Sequence, residues 1–252
     1  MEDFLTIIKE TVNPATQPVG VNLIKDPDVL DGLKIRVKGQ RLTICQQIAY
    51  SRMYGWSTWT TAASAHCVLG AGVTGMIERP ARVVSGAVNT GVYQQDQPAA
   101  AAMQAQMPRV PVGIAGVLTY PLARPLPGLK PELVVVYVNT AQAMRFVQAF
   151  LYQAGGEFTM KSSGDAGVCA RGVAQVYTTD EPTIEIPCLG DRRFALAQDH
   201  ELLVGIPASW LALTAAGLRQ THKAGIRYPI PFQIPSGCDL PPAFVTGEED
   251  LL

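Results

Sequence analysis

Five cysteines, Cys45, Cys67, Cys169, Cys188 and Cys238, offer the most obvious chemistry in this chain of 252 residues. A reduced cysteine supplies a thiolate, the soft ligand that favours iron–sulfur clusters and zinc. Four thiolates complete a tetrahedral zinc site or a [4Fe–4S] cube. Cys45 and Cys169 each fall at the start of a predicted helix, where the helix dipole favours an anionic sulfur. Cys67-Val-Leu-Gly70 and Cys188-Leu-Gly190 place the other two in glycine-containing turns, whose backbone amides can donate to sulfur. No C-x-x-C pair is present, which weighs against zinc more than against a cluster with scattered ligands. The alternative is four separate buried cysteines acting as small hydrophobes. Cys238 stands apart in a Pro-rich stretch and reads as a free thiol.

Charged residues lie beside these positions. Asp191-Arg192-Arg193 follows Cys188-Leu-Gly190, and paired arginines beside a glycine turn can hold a carboxylate or phosphate. Arg52 and Arg171 sit on the helices that begin with Cys45 and Cys169, where they can neutralise an anionic cluster or substrate, or simply face solvent. His66, His200 and His222 have no metal-ligand spacing. No nucleophile elbow or H-E-x-x-H is present, so triad hydrolases and zincins lack support. Gly70-Ala-Gly72-Val-Thr-Gly75 matches G-x-G-x-x-G, but no good strand precedes it, so it reads as a tight packing turn. Tyr50, Trp56 and Trp59 cluster near the first cysteine unit, as core or as pocket lining.

The elements that must position these residues follow from periodicity. Helices are predicted over residues 2–12, 45–54, 79–88, 98–107, 140–154, 168–177 and 208–222. Strands are predicted over 19–24, 57–61, 112–119, 133–138, 157–161, 183–186 and 201–206. Leu133 to Val138 is continuously apolar and β-branched, the pattern of a strand buried on both faces. Thr140 is the expected cap of the following helix and Gly155-Gly156 its stop. This alternation predicts an α/β or α+β fold with a mixed sheet and flanking helices.

The halves also resemble each other weakly. In each, an apolar strand precedes a helix that begins with a cysteine, and a second cysteine follows just before Leu-Gly. The expectation is two pseudo-repeats, 1–110 with a helical insert and 111–227, in one compact unit, with 228–252 a Pro-rich acidic tail. The four cysteines would converge on the axis between the repeats.

Composition limits the classes. Apolar residues make up 48% and charged residues 16%, which excludes disorder along the whole chain. The formal net charge of -1 gives no surplus for nucleic acid or an anionic membrane. The chain opens Met1-Glu2-Asp3-Phe4, acidic where a signal peptide needs Lys or Arg. A cytoplasmic protein with reduced thiols is expected. Low charge and an apolar tail suggest a homo-oligomer.

Asn139-Thr-Ala-Gln142-Ala-Met-Arg-Phe-Val-Gln148, Cys45-Gln-Gln-Ile-Ala49, Cys169, Pro187-Cys188-Leu-Gly-Asp-Arg192 and Asp199-His-Glu201-Leu-Leu-Val-Gly205-Ile-Pro207 occur in an order that resembles the archaeal and bacterial family called domain of unknown function 169. Its members are largely uncharacterised. The resemblance implies anaerobic or metal-rich metabolism and a bound cluster, with Cys45, Cys67, Cys169 and Cys188 the positions carried over. Some relatives carry a further Cys where this chain has Asp191, which leaves the ligand set open.

Three functions are then expected in order. The first is a [4Fe–4S] protein, either closed for electron transfer with a redox partner protein or with an open iron acting as Lewis acid on a small anionic substrate. Arg52, Arg192 and Arg193 would clamp that anion. The second is a metal-free small-molecule-binding or accessory subunit with buried inert thiols. The third, a nucleotide-dependent oxidoreductase, rests on the glycine motif alone.

Overall fold

The computed structural model describes residues 2–230 and 242–247. Cys238 and most of the expected tail lie outside the described residues. Seven strands form one mixed sheet in the order β2-β3-β4-β1-β5-β7-β6. They are β1 (Val19–Ile24), β2 (Val37–Lys38), β3 (Thr58–Thr61), β4 (Gly116–Pro121), β5 (Leu133–Asn139), β6 (Thr183–Glu185) and β7 (Glu201–Pro207). The short β2 runs parallel to β3, and the other neighbours pair antiparallel.

β5 is central because both its faces are apolar. Leu133, Val135 and Tyr137 face one core, while Val134, Val136 and Val138 face another. The first core packs under α2 (Ile44–Tyr54), α3 (Val68–Val73) and a π-helix over Gly167–Gln175. The second packs under α1 (Glu2–Thr11), α6 (Thr140–Leu151) and α9 (Leu211–Lys223). The sheet is therefore sandwiched between two helical layers, an α/β architecture as expected. The other α-helices among the described residues are α4 (Ala81–Val84), α5 (Gln97–Gln106), α7 (Val176–Thr179) and α8 (Leu189–Phe194).

Helix ends have local causes. Thr43 caps α2, accepting from the Gln46 N–H at 3.0 Å while Gln46 returns a bond to the Thr43 N–H. Gly55, at φ 69°, ends it in the left-handed region. Asn139 rather than Thr140 caps α6, through a 2.8 Å bond from the Gln142 N–H. The helix expected over 79–88 shortens to Ala81–Val84, because Gly86 turns at φ 77° to lie against Ala100 of α5. The strand expected over 157–161 does not form. Only Phe158 there is packed, against Phe150, whereas a strand needs a buried face.

Pseudo-repeats are not shown. Outward from the central β1–β5 pair, the sheet reads β4, β3 and β2 on one side and β7 then β6 on the other. The intervening segments differ: three helices separate β3 from β4, and one short helix separates β6 from β7. β4, which falls within 111–227, lies between β3 and β1, so strands of both expected segments interleave.

Candidate thiol and carboxylate site

Four described cysteines are free and come from four elements on the same face of the sheet. Cys45 lies in the first turn of α2, and Cys67 is the N-cap of α3. Cys169 lies in the π-helix, and Cys188 is the N-cap of α8. Asp191, three residues beyond Cys188, is fully buried among them. Its Oδ2 accepts the N–H of Val168 at 3.0 Å and that of Cys188 at 3.1 Å. Its Oδ1 faces the Cys45 thiol, which donates at 3.5 Å. The sulfurs of Cys45 and Cys188 flank Gly190: a Cβ there would lie 3.8 Å from the first and 3.5 Å from the second.

The π-helix depends on this packing. A side chain on Gly167 would collide with the Asp191 carboxylate, and Gly172 and Gly205 let the π-helix approach β7 closely. The turn before it is held by a buried chain of amides. Gln104 Nε2 donates to Asn89 Oδ1 at 2.8 Å, and Asn89 Nδ2 donates to Asp165 Oδ2 at 2.8 Å. Asp165 Oδ1 accepts from the Ala166 N–H at 2.7 Å.

The electrostatics favour the neutral form of three of the thiols. Burial, then Asp191 and the neighbouring thiols, push the Cys45 thiol well above its ordinary value. Burial, then Cys67, does the same to Cys169. Cys188 is pushed up to about 11 by burial and Asp191, against the lowering effect of the Gly167, Asp191 and Gly190 N–H groups. Burial also raises Asp191, opposed by the N–H groups and thiols that point at it. In this setting Cys45, Cys169 and Cys188 are protonated at neutral pH, and the Asp191 carboxyl is the proton acceptor in contact with Cys45.

The expected arginines lie differently. Arg52 is buried and paired with Glu201 at 2.8 Å, and its guanidinium lies 4.0 Å from the centroid of the Tyr137 ring. Its Nη2 also donates to the Leu196 carbonyl at 3.2 Å, so this end of the side chain is engaged inside the protein. Arg192 spans Gln198 O at 3.0 Å and Asp199 at 3.5 Å. Arg193 is exposed, and Arg171 bonds Gln175 on its own helix. A pocket of about 200 Å³ opens between α2 and α8, lined by Gln46, Ala49, Tyr50, Tyr54, Arg193 and Phe194 among others. Tyr50, Tyr54 and Trp56 form one aromatic group at its edge, while Trp59 is buried in a separate small core. The G-x-G-x-x-G stretch is a packing turn: Gly72 lies against Arg79, and Gly75, at φ 76°, meets the Pro111 carbonyl.

Fold and site define an α/β protein with a buried cluster of thiols around one carboxyl group. The chain belongs to the family described as an uncharacterised ArCR family, domain of unknown function 169, whose model matches residues 7–217. It is similar to Uncharacterized protein MJ0308 of Methanocaldococcus jannaschii, with 28% identity over 166 residues, 65% of this chain and 70% of that protein. No solved structure matches.

The expected iron–sulfur cluster is corrected by these findings. Among the described residues, no group of three or more His, Cys, Asp or Glu side chains is disposed to hold a metal ion. The sulfurs are otherwise engaged. Cys45 points at Asp191, and Cys67 accepts the Gly70 N–H of its own helix at 3.4 Å. A buried carboxyl stands where an anionic cluster would repel it. Neither the family nor the relative carries a description of iron, redox or anaerobic metabolism. Among the described residues, no helix is long and apolar enough to cross a membrane.

Asp191 is the residue whose part sequence reasoning missed. Its signal was the Cys188-x-x-Asp191 spacing, that of an N-cap and a capping-box acid. Glu201 and Tyr137 were also missed, since nothing local links them to Arg52.

Proposed function

We propose that this protein is a metal-independent thiol redox protein, with Cys45 and Cys188 the working pair and Asp191 the proton acceptor. The observation that carries the reading is the pair of sulfurs flanking Gly190, with the Cys45 thiol donating to a buried carboxyl group. Packing of α2 on α8 brings the two cysteines together from distant parts of the sequence. Cys45 is the more accessible of the two and is the attacking group; Cys188 is the resolving one.

The reaction runs on a small anionic disulfide, with exposed Arg193 offering a cation at the pocket between the helices. Asp191 takes the Cys45 proton as the sulfur attacks the disulfide. One substrate thiolate leaves and is protonated, and a mixed disulfide forms on Cys45. The Cys188 sulfur, losing its proton, attacks the Cys45 sulfur and releases the second substrate thiol. Two electrons and two protons pass from the protein to the substrate, and a Cys45–Cys188 disulfide remains. The raised thiol values make the resting dithiol slow toward general oxidants.

Oxidised glutathione serves as the probe. The native protein is expected to lose two thiols per chain, and Cys188→Ser to accumulate a mixed disulfide at Cys45. A native protein that keeps every thiol would overturn the reading, as would mixed disulfide spread evenly over Cys45, Cys67 and Cys169.

A further inference from the structure

We infer that the pocket between α2 and α8 binds one planar aromatic ring that carries a carboxylate, which makes an aryl-acid disulfide the substrate class of the thiol site. That choice of substrate rests on the thiol reading, whereas binding of the ring itself does not. The pocket lies one helical turn from the sulfurs on both helices. On α2, Cys45 is one turn before the lining residue Ala49; on α8, Gly190, flanked by the two sulfurs, is one turn before Phe194. A turn rises about 5.4 Å, so a ring held here and a sulfur beside Cys45 fit within one small molecule. The volume of about 200 Å³ is below the roughly 300–1,000 Å³ of pockets for drug-sized ligands and suits a single ring.

The apolar wall is aromatic, and local structure sets it. Tyr50 and Tyr54 lie one turn apart on α2, with ring centroids 6.0 Å apart. Gly55 then reverses the chain. The Trp56 N–H bonds the Tyr50 carbonyl at 3.1 Å, and the Trp56 carbonyl accepts from Ser51 Oγ at 2.9 Å. This folds the Trp56 ring back to 5.6 Å from Tyr50 and 5.3 Å from Tyr54. Phe194 and Leu196 line the pocket from the end of α8 and the turn beyond it. Tyr54, Trp56, Phe194 and Leu196 are all exposed, and large apolar side chains grouped at the surface mark a binding site. A preformed wall spares a ligand the cost of ordering it.

The charge around this wall has one sign. The Arg193 guanidinium lies 5.6 Å from the Phe194 centroid, and that of Arg36 lies 5.4 Å from the Trp56 centroid. Among the described residues neither arginine forms an ion pair, and no Asp or Glu lines the pocket. Gln46 gives its Oε1 to the Thr43 N–H, which leaves its amide as a donor. Unpaired guanidinium groups beside aromatic faces match an anion with a planar apolar body. A carboxylate fits the guanidinium fork, and the ring extends the aromatic group.

The test uses the full, reduced chain with phenylacetate and its saturated counterpart cyclohexylacetate, followed by saturation-transfer NMR and calorimetry. Phenylacetate is expected to bind, and cyclohexylacetate about three- to tenfold more weakly for the loss of ring contacts. Arg193→Gln, an exposed position, weakens phenylacetate about threefold. Tyr54→Leu, also exposed, keeps apolar bulk without a ring and removes most of the preference for phenylacetate. Absence of phenylacetate binding at about 10 mM would overturn the inference. So would equal binding of the two acids, or phenylacetate binding unchanged by both substitutions. Binding is read with every thiol reduced and needs no exchange. A protein that binds phenylacetate yet keeps its thiols in oxidised glutathione would retain the ring site and lose the thiol reading alone; one that exchanges with glutathione yet ignores phenylacetate would lose the ring site alone.

Discussion

Replacing Asp191 tests the thiol cluster at its centre. Asp191→Ala removes the acceptor of the Val168 and Cys188 N–H groups, bonded at 3.0 and 3.1 Å. Each buried N–H left without a partner costs about 1–3 kcal/mol, so the alanine variant should lose about 2–6 kcal/mol. Asp191→Asn keeps one oxygen for those two N–H groups. It exchanges charge-assisted bonds for neutral ones, a loss of about 1 kcal/mol each. The asparagine variant should therefore fold, and its thiols report the electrostatics. Asp191 raises both Cys45 and Cys188, so its removal moves both thiols downward from values that are well above ordinary for Cys45 and about 11 for Cys188. A downward move of one unit gives about tenfold more thiolate at pH 8. The weaker nucleophilicity of a more acidic thiol returns about a factor of three, leaving roughly threefold faster alkylation. Urea unfolding at pH 7 measures the first effect, and iodoacetamide labelling from pH 7 to 11 measures the second. An Asp191→Asn protein whose labelling midpoint stays fixed or rises would refute the reasoning, as would an Asp191→Ala protein as stable as the native one.

Three other outcomes follow from the same geometry. Cys188 rises from an ordinary value of 9.0 to about 11 on folding, so its contribution is complete below pH 9 and is lost as pH climbs through 11. Two units amount to about 3 kcal/mol, and urea unfolding at pH 8 and pH 11 should show the loss in the native protein and a flatter dependence in Cys188→Ser. Arg52→Met strands buried Glu201 and should cost about 3–5 kcal/mol, while the double variant Arg52→Met/Glu201→Leu should recover most of it; no recovery in thermal or urea unfolding would contradict the pairing. Gly217→Ala should destabilise even though it sits in a helix interior, because its Cβ would lie 2.7 Å from the Ala149 Cα on α6. The overpacking cost of about 1–3 kcal/mol exceeds the roughly 1 kcal/mol that Ala gains over Gly in a helix; a raised melting temperature would show the contact to be loose.

Much of the frame could be read from the chain itself. The run from Leu133 to Val138 marked a strand buried on both faces because apolarity without alternation leaves no solvent side. The helix over 45–54 was legible from its side-chain spacing and the helix over 140–154 from a local cap, although Asn139 outcompeted Thr140 as that cap. The π-helix was not legible, since Gly167 adopts its place beneath a carboxyl group 24 residues further on. The cysteines were expected to converge on an axis between two repeats that the sheet does not show, and thiol type and spacing do not say where a sulfur points. Their engagement with Asp191 and with their own helix amides is tertiary. Arg52 illustrates the limit from the other side. Its position on the Cys45 helix suggested an anion clamp, yet its partner Glu201 stands 149 residues away and fills that role from within the core.

The most direct test of the thiol account is an equilibrium titration of the native protein in dithiothreitol redox buffers, read by thiol count and by peptide mapping of the quenched samples. The account predicts one two-electron transition, with a slope of about 30 mV per decade, that joins the peptide of Cys45 to that of Cys188. Five thiols that stay reduced across the whole range while the protein remains folded, or a disulfide joining any other pair, would contradict it.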